Sequence, residues 1–280
     1  MVINHNMSAV FANRQLKLQT QKMDTAIEKL ASGEQINKAG DDASGLAVSE
    51  KMRTQINGML QAEKNAQNGL SFIQVAEGSL QQINDILQRI RSLSVQAANG
   101  IYSDNDRQQI QVEVSSLIDE IDRISSTAQF NRMRMLNGRF ARNSERGSMF
   151  FHIGPNENQR IQAFIRTMSS RSLDLWANGE KRTISTVGDA NEMIGSVDTA
   201  LDSLNRQRAE LGAYYNRMQN SIQSIGLSYE NMLAAYSRIR DADMAAQMVE
   251  FTKNKILVQS GVSMLAQANQ KPQLVLNLLK

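Results

Sequence analysis

The middle of the chain carries a long heptad pattern of apolar and small residues. Starting from Met59, positions spaced alternately three and four apart are Ala62, Ala66, Gly69, Ile73, Ala76, Leu80, Ile83, Leu87, Ile90, Ser94 and Ala97. A repeat of this length is typical of a coiled-coil helix. It predicts one helix over residues 44–98, about 80 Å long at 1.5 Å per residue. The small residues at its start would let a partner helix approach closely, and Asn99-Gly100 is a stop signal.

A second long heptad pattern occupies the last third of the chain and starts near Asp189. Its positions are Ala190, Ile194, Val197, Leu201, Leu204, Arg208, Leu211, Tyr215, Met218, Ile222, Ile225, Tyr229, Met232, Tyr236 and Ile239. The two patterns are similar in length, which favours antiparallel packing of residues 44–98 against 189–239. Arg208 interrupts the apolar series. We expect its side chain either to pair with a carboxylate or to extend its charge to solvent.

A shorter helix is predicted between these two. The Ser103 hydroxyl can cap its first turn, and Asp104 and Asp106 suit the positive end of the helix dipole. Its apolar stripe is Ile110, Val114, Leu117, Ile121, Ile124 and Ala128. The helix should end before Asn137-Gly138 and lie alongside the two long helices.

The periodicity changes between residues 138 and 186. Residues 148–153 and 163–165 are short runs that favour β-strands, and Gly154-Pro155-Asn156 and Asn178-Gly179 mark turns. We therefore predict a mainly α fold: a long antiparallel coiled-coil helical bundle with a small β-region.

Both ends of the chain are amphipathic and have no partner nearby in the sequence. One stripe is Leu16, Thr20, Met23, Ile27 and Leu30; the other is Leu257, Gly261, Met264 and Ala268, followed after Pro272 by Leu274, Val275, Leu276, Leu278 and Leu279. An isolated helix of this size is only marginally stable in water. We infer that the ends are largely disordered in the single chain and become ordered only when packed together. The candidate contact residues are Met23, Ile27, Leu30, Leu257, Met264, Leu265 and Leu278.

Composition narrows the function classes. The 280 residues include only two prolines, which permits very long helices. The net charge of +3 comes without any Lys/Arg block, so neither a nucleic-acid nor a membrane partner is expected. Because cysteine is absent and only His5 and His152 are present, we expect no disulfide and no metal site. No nucleophile–base or carboxylate pair stands out, so we predict no cofactor and no enzymatic activity.

The N-terminus lacks the basic and apolar regions of a secretory signal, and no apolar run approaches 18 residues. We therefore expect neither a cleaved signal peptide nor a transmembrane helix.

Several motifs in fixed order resemble bacterial flagellins. The N-terminal ones are Lys29-Leu30-Ala31-Ser32-Gly33, Ile36-Asn37 and the run from Asp41 to Met52. The C-terminal ones are the run from Arg238 to Ala245 and the run from Ile256 to Gln270. The resemblance covers about residues 1–140 and 185–280, which leaves no room for the family's outer variable domains.

The resemblance implies a domain organisation and a role. Residues 1–42 and 242–280 would form inner-core helices, residues 43–137 and 187–241 the helical bundle, and residues 138–186 its β-region. The chain would be a structural subunit, exported unfolded by the flagellar type III system. Coupled folding of its termini would then assemble it into the core of the filament that drives motility. A hook–filament junction protein, which has similar terminal helices, is the alternative; a generic coiled-coil scaffold does not account for the motifs.

The same resemblance implies partners and a location. The partners are copies of the chain itself, sister flagellins, filament sheath proteins, the filament cap, hook–filament junction proteins, an export chaperone and the Toll-like flagellin receptor. Residues 3–10 and 151–156 look like those of spirochaetal periplasmic flagellins. A periplasmic flagellum is therefore the expected location.

The resemblance also implies roles for individual residues at positions that match the flagellin pattern. Residues 88–96 resemble the flagellin patch that packs in the filament and is recognised by the receptor, which implies roles for Arg89, Leu93 and Glu113. Arg123 is a further candidate for subunit packing because its charge lies off the apolar stripe. Ser115 and Ser116 either carry O-glycans, as in relatives, or are ordinary exposed helical serines.

The chain departs from the family pattern in two places. After Ser32-Gly33, flagellins commonly carry an apolar residue and an arginine, whereas this chain has Glu34 and Gln35. Ser92 and Ser94 stand where the family more often has Glu and Ala. The first departure affects the packing of the linker that follows the N-terminal helix, and the second affects receptor recognition.

Overall fold

A computed structural model describes residues 5–142, 144, 147–177 and 179–278, with side chains described up to residue 271. Within these ranges the chain forms five helices: α1 (Met7–Ser32), α2 (Ala43–Ala97), α3 (Asp104–Thr127), α4 (Val187–Arg240) and α5 (Met244–Leu278). The described residues divide into two compact units, one from Asn57–Tyr229 and one from Met1–Ile56 with Glu230–Lys280. The boundaries between the units fall inside α2 and α4.

In the unit Asn57–Tyr229, α2 and α4 run antiparallel. Arg91 Nε on α2 lies 2.6 Å from Asp198 Oδ1 on α4. About four turns earlier on α2, Glu77 Oε1 lies 2.8 Å from Arg208 Nε, which is further along α4. Apart from the half-buried Leu201, the heptad positions between them are buried, among them Leu80, Leu87 and Leu204. The predicted antiparallel bundle is therefore confirmed, and Arg208 is paired with a carboxylate.

The helix α3 lies against α2, also antiparallel. Its first turn is held by the predicted cap: Asp106 N donates to Ser103 Oγ, and the Asp106 carboxylate accepts from Ser103 N, which together form a capping box. The buried Arg107 donates from Nε to Ala97 O at the end of α2, at 2.9 Å. These bonds satisfy backbone groups at the α2–α3 turn and fix where α3 begins.

Small residues allow close packing at the start of the α2 seam. Ala62 and Ala66 are fully buried. A Cβ added at Gly69 would lie 2.9 Å from Phe151 Cδ1 and 3.0 Å from Met218 Sδ. The predicted close approach is thus made by α4 together with a β-hairpin.

Substituting Gly69 with alanine should destabilise the protein, although alanine is the better helix former. Overpacking against Phe151 and Met218 costs roughly 1–3 kcal/mol, which exceeds the gain of about 1 kcal/mol in helix propensity. Gly78 lies in the same helix with open space around it. Gly78→Ala should therefore raise the free energy of unfolding in urea, and equal effects of the two substitutions would contradict this packing.

Between α3 and α4, the described residues form three two-stranded antiparallel hairpins. They are β1 (Gln129–Phe130) with β2 (Met133–Arg134), β3 (Met149–His152) with β4 (Arg160–Ala163), and β5 (Trp176–Ala177) with β6 (Glu180–Lys181). β3 lies within the run predicted at 148–153, whereas β4 ends at Ala163, where the second predicted run begins. For the third hairpin only a turn, at Asn178-Gly179, was predicted. The first begins immediately after α3 ends at Thr127, earlier than the pattern predicted. Its two turn residues, Asn131 and Arg132, both have positive φ, as tight hairpin turns require.

The hairpins complete the core on one side of α2. The Phe72 ring makes edge-on contacts with the rings of Phe130, Phe140 and Phe151, at centroid distances of 5.7, 6.1 and 5.7 Å. The buried Gln207 amide on α4 accepts from Arg166 N and donates to Phe164 O. Because these bonds satisfy otherwise buried backbone groups, the chain between the hairpins is fixed to the bundle.

In the other unit, α1 and α5 pack against each other and run antiparallel. Asn6 Nδ2 donates to Ala268 O at 2.8 Å, and a Cβ added at Gly261 would lie 3.2 Å from Leu16 Cδ1. The two ends of the chain are therefore paired with each other. That they are disordered in solution until assembly stays a prediction.

Candidate subunit interface

The pair formed by α1 and α5 has very little core of its own. In the 26-residue α1, Ala26 is the buried residue. Among the described side chains of α5, Asn254 is buried and no apolar one is. Large apolar side chains are exposed instead: Met7, Val10, Phe11, Leu18, Ile27, Met244, Met248, Val249, Ile256, Leu257, Val262 and Met264. Exposed apolar surface on this scale marks a protein interaction site.

An apolar groove runs between the two helices. It is lined from α1 by Met7, Phe11, Ala12 and Leu16, and from α5 by Leu257, Gly261, Met264 and Ala268, with glutamine, serine and lysine side chains around them. One of these, Gln19, has a buried Oε1 with no hydrogen-bond donor in the described part of the chain. A buried acceptor without a donor is unfavourable.

The predicted inner-core residues lie on this pair. Met23, Leu30 and Leu265 are half-buried, and Ile27, Leu257 and Met264 are exposed. The side chain of Leu278 lies outside the described residues. None of the six described side chains is fully buried, so all six retain apolar surface for a contact with another chain.

The predicted bundle-surface residues separate into two groups. Arg89 and Glu113 are half-exposed and pair across α2 and α3, with Arg89 Nη2 2.7 Å from Glu113 Oε1. Arg123 is exposed and pairs with Glu120 one turn earlier on α3. These three stay candidates for subunit packing. Because such pairs are exposed, each contributes little to folding.

The expectation for Leu93 is wrong. Leu93 is 3% exposed and belongs to the bundle core, so its side chain offers no surface to a second chain or a receptor. The reason is that α2 contacts α3 through Arg89 and α4 through Arg91, on different sides. A helix with two neighbours buries a wider face than a single seam, and Leu93 lies within it.

The two candidate glycosylation sites differ in surroundings. Ser116 is exposed, and its hydroxyl donates to Val112 O one turn earlier. Ser115 is half-buried: its Oγ accepts from Gln111 Nε2, and its carbonyl accepts from Lys181 Nζ. Ser116 is the more accessible of the two, and modification of either stays a prediction.

Clusters of metal-ligand side chains and helices able to span a membrane are both absent from the described residues. In the described ranges, no three His, Cys, Asp or Glu side chains are close enough together to hold a metal ion. Likewise, none of the helices built from those residues combines the length and apolar character needed to cross a bilayer.

Sequence reasoning missed a buried charge where the terminal helices join the bundle. Arg240, the last residue of α4, is buried and pairs with Glu34 and Glu50. Burial disfavours the charged guanidinium, but the hydrogen bond to Glu34 and the charges around it outweigh burial and raise the pKa of Arg240. The departure at Glu34 was the available signal, although nothing in the sequence linked it to Arg240.

Comparison with known proteins agrees with these features. Residues 3–141 match the bacterial flagellin N-terminal helical region, and residues 194–279 match the bacterial flagellin C-terminal helical region. Together the two matches cover well over half of the chain.

Relatives that align over their full length are also flagellar proteins. A 30.7 kDa flagellar filament core protein of Treponema maltophilum is 58% identical, with 100% of each chain aligned. A flagellar filament core protein of Brachyspira hyodysenteriae is 52% identical, again over 100% of each chain. A solved structure assigned as a flagellar hook-associated protein of Vibrio parahaemolyticus has a TM-score of 0.58 at 13% identity, over 72% of this chain and 100% of that one, and so shares the fold alone. The chain belongs to the bacterial flagellins, and its role is that of a structural filament subunit.

Proposed function

We propose that this flagellin forms the core of a periplasmic flagellar filament and that its assembly is coupled to the folding of its ends. Residues 1–42 and 242–280 are the inner-core segments, residues 43–137 and 187–241 form the surrounding bundle, and residues 138–186 are its β-region. The filament core proteins of Treponema and Brachyspira support the periplasmic assignment. Sister flagellins and further copies of the chain are its direct partners.

The observation that supports this proposal is that α1 and α5 are long helices with very few buried side chains. Ordering a residue costs about 1–2 kcal/mol of backbone entropy, and apolar burial returns about 25 cal/mol for each Å² removed from water. These helices have 26 and 35 residues, and almost none of their described side chains, which end at residue 271, is buried. Such helices do not offset that cost alone. Neighbouring subunits that cover the exposed apolar side chains supply the missing burial.

The small buried area of α1 and α5 is also compatible with the proposed export and growth of the filament. Ends that are unfolded before assembly are compatible with export of an unfolded chain through the flagellar type III system, with an export chaperone covering apolar residues in transit. The cap and the hook–filament junction proteins would meet the growing end of the filament, and sheath proteins its outer surface. The Toll-like receptor would meet the exposed Arg89–Glu113 pair rather than Leu93.

Removing either end should abolish filaments without unfolding the bundle. Chains lacking residues 1–30 or residues 257–280 should keep the helical circular dichroism of the bundle, because its buried core lies between residues 57 and 229. Negative-stain microscopy after salt-induced polymerisation should show filaments for the full chain and none for either truncation. An unfolded truncated chain, or filaments from it, would contradict the proposal.

A further inference from the structure

Two short linkers join the terminal helices to the bundle helices, residues 33–42 between α1 and α2 and residues 241–243 between α4 and α5. They lie side by side within one unit. Ala242 N donates to Gly33 O at 2.9 Å, and Gln35 N donates to Arg240 O at 2.7 Å. Glu34 and Asp241 thereby form an isolated antiparallel bridge. The two linkers are thus paired through their backbones, although about 200 residues separate them in the sequence.

The side chain of Arg240 reinforces this pairing from within. Its Nε lies 2.9 Å from Glu34 Oε2, and its Nη1 lies 3.3 Å from both Ser49 Oγ and Glu50 Oε1. The side chain is only 9% exposed. A charge buried to this extent is tolerated when it is paired and hydrogen-bonded, so its partners are held as firmly as it is. Arg240 thereby connects α4, the first linker and α2.

The first linker is also ordered by its own residues. Asp41 Oδ2 accepts from Asn37 N and Lys38 N, and Asp42 Oδ1 accepts from Ser44 N and Gly45 N at the start of α2. The bonds from Gly45 and Ser44 lower the pKa of Asp42. A stretch with this many satisfied amides contrasts with the exposed apolar helices on either side of it.

We propose that Arg240 is a positioning residue for assembly. It holds the C-terminal end of α1 and the N-terminal end of α5, which we call the roots of these helices, beside each other before the helices themselves are ordered. The inference rests on the proposed coupling of folding and assembly. When the two roots are held together, α1 and α5 pair from fixed starting points instead of from two free linkers, and the entropy cost of pairing falls. The partner that Arg240 serves is a second copy of this chain, which receives a preformed pair of helix roots.

The test is hydrogen exchange and polymerisation of the full-length chain. In the lone wild-type protomer, the amides of Gln35, Asn37, Lys38 and Ala242 should be protected while those of α1 exchange rapidly. Arg240→Gln should speed exchange at these amides by about tenfold, the effect of losing a charge-assisted hydrogen bond, and should raise the critical concentration for polymerisation by a similar factor. Arg238→Gln is the matched control, because Arg238 is exposed on the same last turn of α4.

A double-mutant cycle separates positioning from general loss of structure. Glu34→Gln should change linker exchange and critical concentration in the same direction, and the double variant should differ little from Arg240→Gln alone, because the two residues act through one bond. If Arg240→Gln unfolds the bundle, the test of the positioning role rests on Glu34→Gln. This variant removes one partner of Arg240 and keeps the bonds of Arg240 to Ser49 and Glu50. If Glu34→Gln and Arg238→Gln behave alike, or if the wild-type linkers exchange as fast as α1, the role of Arg240 is refuted while the proposed function stands. Failure of the proposed function itself would show as a wild-type chain that does not polymerise, or as α1 protected in the lone protomer.

Discussion

Replacing Met264 with glutamate should abolish polymerisation while leaving the helical bundle folded. Met264 is 62% exposed in the single chain and lines the groove between α1 and α5. Covering that groove with a neighbouring subunit would bury an unpaired carboxylate, at a cost of about 3–5 kcal/mol. Such a cost raises the critical concentration by roughly a hundredfold or more. Sedimentation of polymer across a concentration series measures it directly.

The control is a substitution of the same residue that keeps its apolar character. Met264→Leu conserves hydrophobicity and approximate volume, so it should polymerise at nearly the wild-type concentration. Thermal unfolding of the bundle should be unchanged in both variants, because Met264 belongs to the terminal unit and is not among the residues of the buried core. Filaments of normal yield from Met264→Glu would show that this groove is not covered in the assembled state.

The substitution Leu93→Ala should lower the stability of the bundle by about 2–5 kcal/mol, the range for truncating a buried leucine in a packed core. Leu93 belongs to the same buried cluster as Leu87 and Ile90. Any loss of filament formation or receptor binding in this variant should therefore parallel its loss of folded protein. Urea unfolding followed by circular dichroism gives the free energy.

Arg89→Ala is the matched comparison one turn earlier on the same helix. It removes the half-exposed pair with Glu113, which is worth about 0–1 kcal/mol to folding. A reduced affinity for neighbouring subunits in this variant would be a surface effect. If Leu93→Ala unfolds at the wild-type urea concentration and still fails to polymerise, Leu93 is a contact residue and its placement in the core is wrong.

The long helices could be predicted from the sequence because their pattern is local and repeated. The heptads predicted helices over 44–98 and 189–239, and the structure has them at Ala43–Ala97 and Val187–Arg240. Each extra heptad adds independent information on the same period, and no proline interrupts either run. The antiparallel pairing followed from two seams of matched length.

Features that depend on contacts between distant or irregular segments could not be predicted in the same way. The hairpin of β1 and β2 uses Asn131-Arg132 in its turn, without the glycine that usually signals such turns. Leu93 is buried because α2 has two neighbours, and a single heptad seam shows only one. The pairing of Arg240 with Glu34 joins residues 206 positions apart, and one sequence carries no pattern that connects them.

These features together describe a subunit with two kinds of stability. The bundle has a continuous buried core and is expected to fold by itself. The terminal helices have almost no core and present apolar side chains to whatever covers them. Under the proposed function, such a subunit would stay exportable and monomeric until neighbours are present, and would then gain most of its remaining stability from them.

Hydrogen exchange of the purified lone protomer, compared with the assembled filament, tests this account most directly. The amides of α1 and α5 should exchange within seconds in the protomer and become strongly protected in the filament, while those in the core of α2 and α4 stay protected in both. Slow exchange throughout α1 and α5 in the lone protomer would contradict the account, because the ends would then be folded before any neighbour covers them.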